Sequence, residues 1–155
     1  MKKIISILTC SLFALAINAQ QIKLVTDKES IFTSEEINRI DSLLQAYKQS
    51  SGNLVVVCTD SLDVSTKAYK DSLIAKYTKD DAQKPYAIFL LLSRKNSIVL
   101  LVSNDLTKDI PNRLEEFMKI VSYGVPALKE KKLEEGVTII CRKAMGFLDS
   151  LPKIN

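Results

Sequence analysis

Five aspartates are the residues of this sequence with the clearest capacity for chemistry, and they are Asp27, Asp60, Asp80, Asp81 and Asp105. We predict that all five lie in loops, where carboxylates can bind a hard divalent cation such as Ca²⁺ or Mg²⁺. Aspartate is also common in turns and at helix N-termini, where it accepts hydrogen bonds from backbone amides. For Asp80 and Asp81 a role in a turn, and for Asp105 a cap of the helix or turn after the strand, is therefore an open alternative to a metal site.

Other kinds of site are excluded by composition. The sequence contains no histidine, which removes the usual general base, the usual zinc ligand and every Ser-His-Asp or Cys-His arrangement. Only four glycines occur, so no glycine-rich phosphate-binding loop can be assembled. Without its first 19 residues the chain has 20 basic and 18 acidic side chains, since two of the 22 basic residues lie in that segment. This near balance predicts no nucleic-acid partner.

Residues 1–19 are predicted to be a secretory signal peptide. Two lysines precede an apolar run from Ile4 to Ile17, and the small Ala19 suits the position before the cleavage site. A cut after Ala16 is the alternative. The run is about 14 residues long, whereas a membrane-spanning helix needs roughly 20. We expect a mature domain over 20–155 that is periplasmic or secreted and has no transmembrane segment.

Two cysteines lie in the predicted mature domain, Cys58 and Cys141, and both are surrounded by apolar residues. An exported location permits a disulfide between them. Free cysteine is also among the most frequently buried residue types. A disulfide and two buried thiols are both compatible with the sequence.

The secondary structure is predicted from hydrophobic spacing and from cap residues. Helices are expected over 33–52, 65–78, 111–124 and 133–148, and strands over 54–59, 87–92 and 98–102. This order predicts an α/β fold with a mixed central β-sheet of about three to four strands, helices on both faces, and a βαβ core followed by a hairpin.

The hairpin has a predicted register that bears on the aspartates. Its loop is predicted over 93–97, and we expect Leu91 to pair with Leu100. That register brings Asp105 opposite Tyr86, the residue before the second strand. Asp80 and Asp81 precede that strand by a few residues. Three carboxylates are therefore expected to converge at one edge of the sheet.

Residues 24–150 resemble the TPM domain, a family of thylakoid-lumen, photosystem-repair and bacterial exported or membrane-attached proteins. The resemblance is carried by Asp27 before a short loop, Phe32-Thr33-Ser34-Glu35-Glu36, Gly52 before Leu54-Val55-Val56-Val57, and Leu133-Glu134-Glu135-Gly136-Val137. It implies the fold predicted above. It also implies a site at the acidic edge, to which metal binding and acid-phosphatase-like activity are attributed in the family.

The chain departs from the family pattern in three loops that border that edge. Tyr77-Thr78-Lys79-Asp80 replaces a Trp-Gly-x-Gly-like stretch, Lys84-Pro85-Tyr86 replaces an Asn-Gly, and Ser103-Asn104-Asp105-Leu106 replaces a glycine-rich turn. We therefore expect an exported TPM-domain protein that is a non-catalytic envelope module and assists or stabilises membrane or envelope proteins. The alternative is a weak metal-dependent acid-phosphatase-like enzyme that uses the loop carboxylates.

Overall fold

The computed structural model describes residues 22–60, 67–79, 84–92, 97–103 and 111–151. The elements are β1 (Val25–Asp27), α1 (Ser34–Ser51), β2 (Leu54–Thr59), α2 (Lys67–Thr78), β3 (Tyr86–Leu92), β4 (Ser97–Val102), α3 (Pro111–Lys129) and α4 (Leu133–Asp149). The predicted signal peptide lies outside the described residues and stays a prediction. Within them, no helix has the length and apolarity that crossing a membrane requires.

The four strands form one mixed sheet in the order β1-β2-β3-β4. Strands β1, β2 and β3 are parallel, and β4 pairs antiparallel with β3. The predicted α/β fold with a mixed sheet is confirmed. Strand β1 was not among the predicted elements, because three residues are too few to display the alternation by which a strand is detected.

Helices cover both faces of this sheet, as predicted, and all six residues of β2 are buried. On one face, Thr26 and Cys58 are register partners, and both contact the hydroxyl of Tyr77 in α2. On the other face, Phe89 stacks on Phe117 of α3, with ring centroids 6.3 Å apart. Phe89 pairs with the residue that precedes Cys58 in β2. Because successive strand residues point to opposite faces of the sheet, Phe89 and Cys58 lie on opposite faces.

The hairpin register differs from the predicted one by two residues. Leu91 pairs with Ile98 and not with Leu100. Consequently Ser103 lies beside Tyr86, and its backbone amide donates to the Tyr86 carbonyl at 3.2 Å. A shift of two residues leaves every side chain on the same face, so the hydrophobic pattern cannot distinguish the two registers.

Helix α3 is longer than predicted, since it continues through Gly124 and Pro126 to Lys129. The predicted end of this helix at residue 124 is wrong because Gly124 allows close helix packing and does not end the helix. A Cβ atom at Gly124 would lie 2.6 Å from Cγ1 of Ile140 in α4. The backbones of α3 and α4 can approach only where that atom is missing.

The longer helix also changes the buried stripe of α3. The hydrophobic pattern of the sequence predicts that Met118 faces the core, but its side chain is 62 % exposed. The buried positions are instead Phe117, Ile120 and Ala127, together with Gly124. These positions recur at intervals of three and four residues, which is the spacing of one helical face.

Helix α1 begins and ends where the sequence predicts. Thr33 and Glu36 form a capping box, and the C-terminal Gly52 has a φ of 76°, a left-handed conformation that glycine adopts without strain. A bidentate ion pair then joins α1 to α4, with Arg39 Nε 2.6 Å from Glu134 Oε1 and Arg39 Nη2 2.8 Å from Glu134 Oε2.

Both cysteines of the predicted mature domain are free and buried. Cys58 lies in β2 and Cys141 lies in α4. The buried-thiol alternative is therefore confirmed, and the disulfide alternative is wrong.

Candidate functional site at the carboxyl ends of β1 and β2

Polar residues gather where two parallel strands end. Asp27 is the last residue of β1, and its register partner Thr59 is the last residue of β2. Asp60 follows directly, and its backbone amide donates to the carbonyl of Leu91 in β3 at 3.2 Å. Parallel strands end at the same edge of a sheet, so the fold brings both aspartates to one place.

The carboxylate of Asp27 organises the loop that enters α1. Its Oδ2 accepts a hydrogen bond from the backbone amide of Phe32 at 2.9 Å, and its Oδ1 accepts one from the hydroxyl of Thr59. The same hydroxyl accepts from the amide of Glu29 at 3.1 Å. Asp27 thus ties the β1–α1 loop to the end of β2.

Asp60 has a different environment, since it is only 2 % exposed. The ammonium of Lys28 lies 2.8 Å from its Oδ2, and the hydroxyl of Tyr69 donates to the same oxygen. A buried carboxylate is stable only when it is paired and hydrogen-bonded. Here the opposite charge comes from the loop after β1 and the phenol comes from α2.

The Lys28 side chain lies between this carboxylate and solvent. It is 52 % exposed, and its Nζ is 5.4 Å from the ring centroid of Tyr69, within the range of a cation–π interaction. Burial, followed by the hydrogen bond to Asp60, raises the pKa of Tyr69. The phenol therefore keeps its proton and acts as a donor.

A second cluster of polar side chains lies near the same edge, on the face of the sheet that α2 covers. Thr26 Oγ1 and the Tyr77 hydroxyl are 2.6 Å apart, and the Cys58 thiol donates to that hydroxyl at 3.7 Å. The ammonium of Lys76 lies 3.1 Å from it. Burial raises the pKa of Cys58 and also that of Tyr77. Neither side chain is therefore an activated nucleophile at neutral pH.

The family model for the TPM domain matches residues 25–146. This chain belongs to the TPM domain family. The resemblance inferred from the sequence is confirmed. No curated protein matches.

Two solved solution NMR structures are similar to this TPM domain. One is the N-terminal domain of a protein from P. gingivalis, with 16 % identity, a TM-score of 0.66, and coverage of 84 % of this chain and 85 % of that one. The other is the N-terminal domain of a protein from Corynebacterium glutamicum, with 12 % identity, a TM-score of 0.59, and 86 % coverage of each chain. At these identities the likeness concerns the fold alone.

The predicted site residues of the TPM domain divide into two groups. Asp27 and Asp60 lie together at the carboxyl ends of the parallel strands. Asp80, Asp81 and Asp105 lie outside the described residues, and the metal site built from all five stays a prediction.

Asp27 and Asp60, the two predicted site residues that the structure describes, fit a divalent cation poorly. Both carboxylate oxygens of Asp27 accept hydrogen bonds from the protein itself. Asp60 already has an ammonium in contact with one oxygen, and this ammonium would repel a second cation. Consistently, the described part of the chain contains no group of three or more acidic, cysteine or histidine side chains that could hold a metal ion.

Sequence reasoning missed Lys28 and Tyr69, which complete the surroundings of Asp60. Lys28 follows Asp27 directly, but its partner is 32 residues away. The only available signal was the strand pairing itself: once β1 and β2 are known to be parallel, a lysine directly after β1 is within reach of an acid directly after β2.

Proposed function

We propose that this TPM-domain chain is an exported, non-catalytic module that assists or stabilises membrane or envelope proteins. The observation that carries the proposal is the pairing of the buried Asp60 carboxylate with Lys28 and Tyr69. A metal-dependent phosphatase needs carboxylates that are available to a cation, which then binds the phosphoryl oxygens. At this edge the chain supplies its own cation and its own donor.

Export is supported by the charged, apolar and small-residue order of 1–19. The intact mass of the protein recovered from the cell envelope or medium tests it. We expect a chain that begins within three residues of Gln20. A chain that retains Met1, or one that has a lipid on Cys10, would contradict a soluble exported module.

Partner binding is supported by two large apolar side chains that α3 leaves exposed, Met118 and Tyr123. Methionine and aromatic residues are enriched in protein interfaces. The test replaces Tyr123 with a photo-crosslinking phenylalanine analogue in cells and identifies the captured envelope proteins. The matched control places the same analogue at Ala75, an exposed position of α2.

We expect one envelope protein to be captured from position 123 and not from position 75. The same protein should co-purify with the unmodified chain when the envelope is treated with a lysine crosslinker. If neither approach enriches any envelope protein, the module proposal loses its support.

A metal-dependent phosphatase is the second candidate, favoured by the arrival of Asp27 and Asp60 at one sheet edge. Hydrolysis of p-nitrophenyl phosphate with Ca²⁺ or Mg²⁺ separates the two candidates. We expect the wild-type rate to equal that of Asp60→Asn and of buffer. A cation-dependent rate that Asp27→Asn or Asp60→Asn abolishes would establish the phosphatase instead.

A further inference from the structure

We propose that the Lys28 ammonium is a built-in counter-ion that takes the place of a divalent cation at the Asp60 carboxylate. The inference rests on the proposed function and deepens it, because a permanent internal cation makes the described edge at Asp60 independent of calcium and magnesium. This counter-ion lies at the described edge of the sheet, where the carboxylates of Asp27 and Asp60 fit a metal poorly.

Burial of the acceptor distinguishes the Lys28–Asp60 ion pair from a surface ion pair of the same length. Lys28 and Lys132 each place Nζ 2.8 Å from a carboxylate oxygen, and the two lysine side chains are similarly exposed, at 52 % and 57 %. Their acceptors differ: Asp60 is 2 % exposed and Glu130 is 63 % exposed. An exposed pair contributes little to stability, whereas removing one partner of a desolvated pair leaves an uncompensated buried charge. Of these two ion pairs, only the one between Lys28 and Asp60 compensates a charge that the fold buries.

The position of Lys28 also restricts the access of a cation to Asp60. Lys28 leaves the sheet directly after β1, so its half-exposed side chain reaches Asp60 from the solvent side of the strand ends. Its ammonium contacts Oδ2, the oxygen that also accepts from Tyr69. A calcium ion would need to approach a ligand oxygen to about 2.3–2.6 Å. It could not do so at Oδ2 without displacing the ammonium.

The test is a calcium titration of the mature protein, followed by thermal melting, with the wild type and four variants, one of which is Asp60→Asn alone. Lys28→Met removes the charge but keeps an unbranched apolar side chain. Lys132→Met is the matched control, and Lys28→Met combined with Asp60→Asn removes both charges. Without divalent ions, we expect Lys28→Met to melt lower than Lys132→Met. The double variant should recover part of that loss.

Calcium up to ~10 mM, which reaches the weakest calcium modules, should leave the melting temperatures of wild type, Lys132→Met and the double variant unchanged. It should raise that of Lys28→Met by roughly 3 to 6 °C, because the ion can approach Asp60 Oδ2 in the folded chain only when the ammonium no longer occupies that position. If Lys28→Met does not fold alone, calcium should restore its circular dichroism spectrum.

Three results would overturn the inference. The first is a calcium-dependent rise for wild type that Asp60→Asn removes. The second is a Lys28→Met variant that calcium neither stabilises nor refolds. The third is a double variant no more stable than Lys28→Met.

Phosphatase assays on the same samples distinguish a failure of the counter-ion inference from a failure of the proposed function. Calcium binding by the wild type that depends on Asp60 and brings no hydrolysis overturns the counter-ion alone. Calcium-dependent hydrolysis that survives Asp60→Asn overturns the non-catalytic module and leaves the counter-ion in place.

Discussion

Individual tyrosines of this domain use their hydroxyl groups as internal hydrogen-bonding groups. The hydroxyl of Tyr47 in α1 lies 2.8 Å from Asp149 Oδ1 and 3.1 Å from the carbonyl of Met145, both in α4. Burial, acting with the neighbouring Asp149 carboxylate, raises the pKa of Tyr47 from 10.0 to about 12. The phenol that joins α1 to α4 is therefore a neutral donor throughout the physiological range.

The raised pKa of Tyr47 predicts a loss of stability at high pH. In the unfolded chain the phenol releases its proton near pH 10, whereas in the folded chain it keeps it until about pH 12. Between these values the folded state binds more protons, so the free energy of unfolding falls as pH rises, by up to about 1.4 kcal/mol per pH unit for one group. Urea unfolding at intervals from pH 9 to 12 measures this slope.

Tyr47→Phe should make that slope shallower, although it lowers stability at every pH. Tyr123→Phe is the matched control, because the ring of Tyr123 is exposed in the folded protein. We expect it to leave the slope at its wild-type value. Equal slopes for wild type and Tyr47→Phe would show that the phenol of Tyr47 has the same pKa in both states.

The two thiols should be inert in the folded protein. Cys58 and Cys141 are buried and unpaired with each other, and burial raises the pKa of Cys141 to about 12. Only a thiolate reacts with thiol reagents. We expect no labelling of the native mature chain by Ellman's reagent at pH 8 and labelling of both thiols in urea. Rapid labelling without denaturant would contradict their burial.

At the scale of elements, the sequence predicts well those features that depend on neighbouring residues. The capping box at Thr33 and the left-handed Gly52 are local signals, and α1 begins and ends beside them. The full length of α3 depends on a partner helix, because Gly124 can be recognised as a packing residue only when α4 is in place. The hairpin register depends on the turn, which the hydrophobic pattern does not specify.

The glycines of α3 and α4 test directly the difference between a residue whose role depends on a partner helix and one whose role is local. A Cβ at Gly124 would lie 2.6 Å from Ile140 Cγ1, and one at Gly136 would lie 2.6 Å from Leu128 Cδ2, whereas one at Gly146 meets nothing within 4 Å. All three lie inside helices, so the intrinsic gain from alanine is the same, about 0.5–1 kcal/mol.

Gly146→Ala should therefore raise the free energy of unfolding by about 0.5–1 kcal/mol. Gly124→Ala and Gly136→Ala should lower it by roughly 1–3 kcal/mol, the usual cost of overpacking. Chemical denaturation of the three variants checks the difference in sign. If Gly124→Ala were as stable as Gly146→Ala, then α3 and α4 would not be in close contact at that position.

At the scale of the whole molecule, the sequence predicts part of the candidate site. It marks Asp27 and Asp60 because each follows an apolar segment, and parallel pairing brings them together. It does not identify Lys28 or Tyr69 as their neighbours, since these contacts cross between elements that are distant in the chain. Charge compensation is a tertiary property, so a carboxylate that looks available in the sequence can already be paired in the fold.

The fold constrains the sequence most strongly at the centre of the sheet. Strand β2 has a partner on each side, helices cover both of its faces, and Val56 is fully buried beside Ile88 of β3. Val56→Asp would place a carboxylate where neither water nor a cation can reach it. The cost of an unpaired buried charge is several kcal/mol or more, and the whole margin of a domain is about 5–15 kcal/mol.

We expect Val56→Asp to unfold the domain at room temperature or to lower its melting temperature by tens of degrees. Ser97→Asp is the matched control, because it introduces the same charge at the exposed first residue of the edge strand β4. That variant should melt within a few degrees of wild type. Circular dichroism of both variants, repeated near pH 4 where the new carboxyl is partly neutral, should show Val56→Asp recovering more than Ser97→Asp. A Val56→Asp variant as stable as the control would mean that β2 is not the buried centre of the sheet.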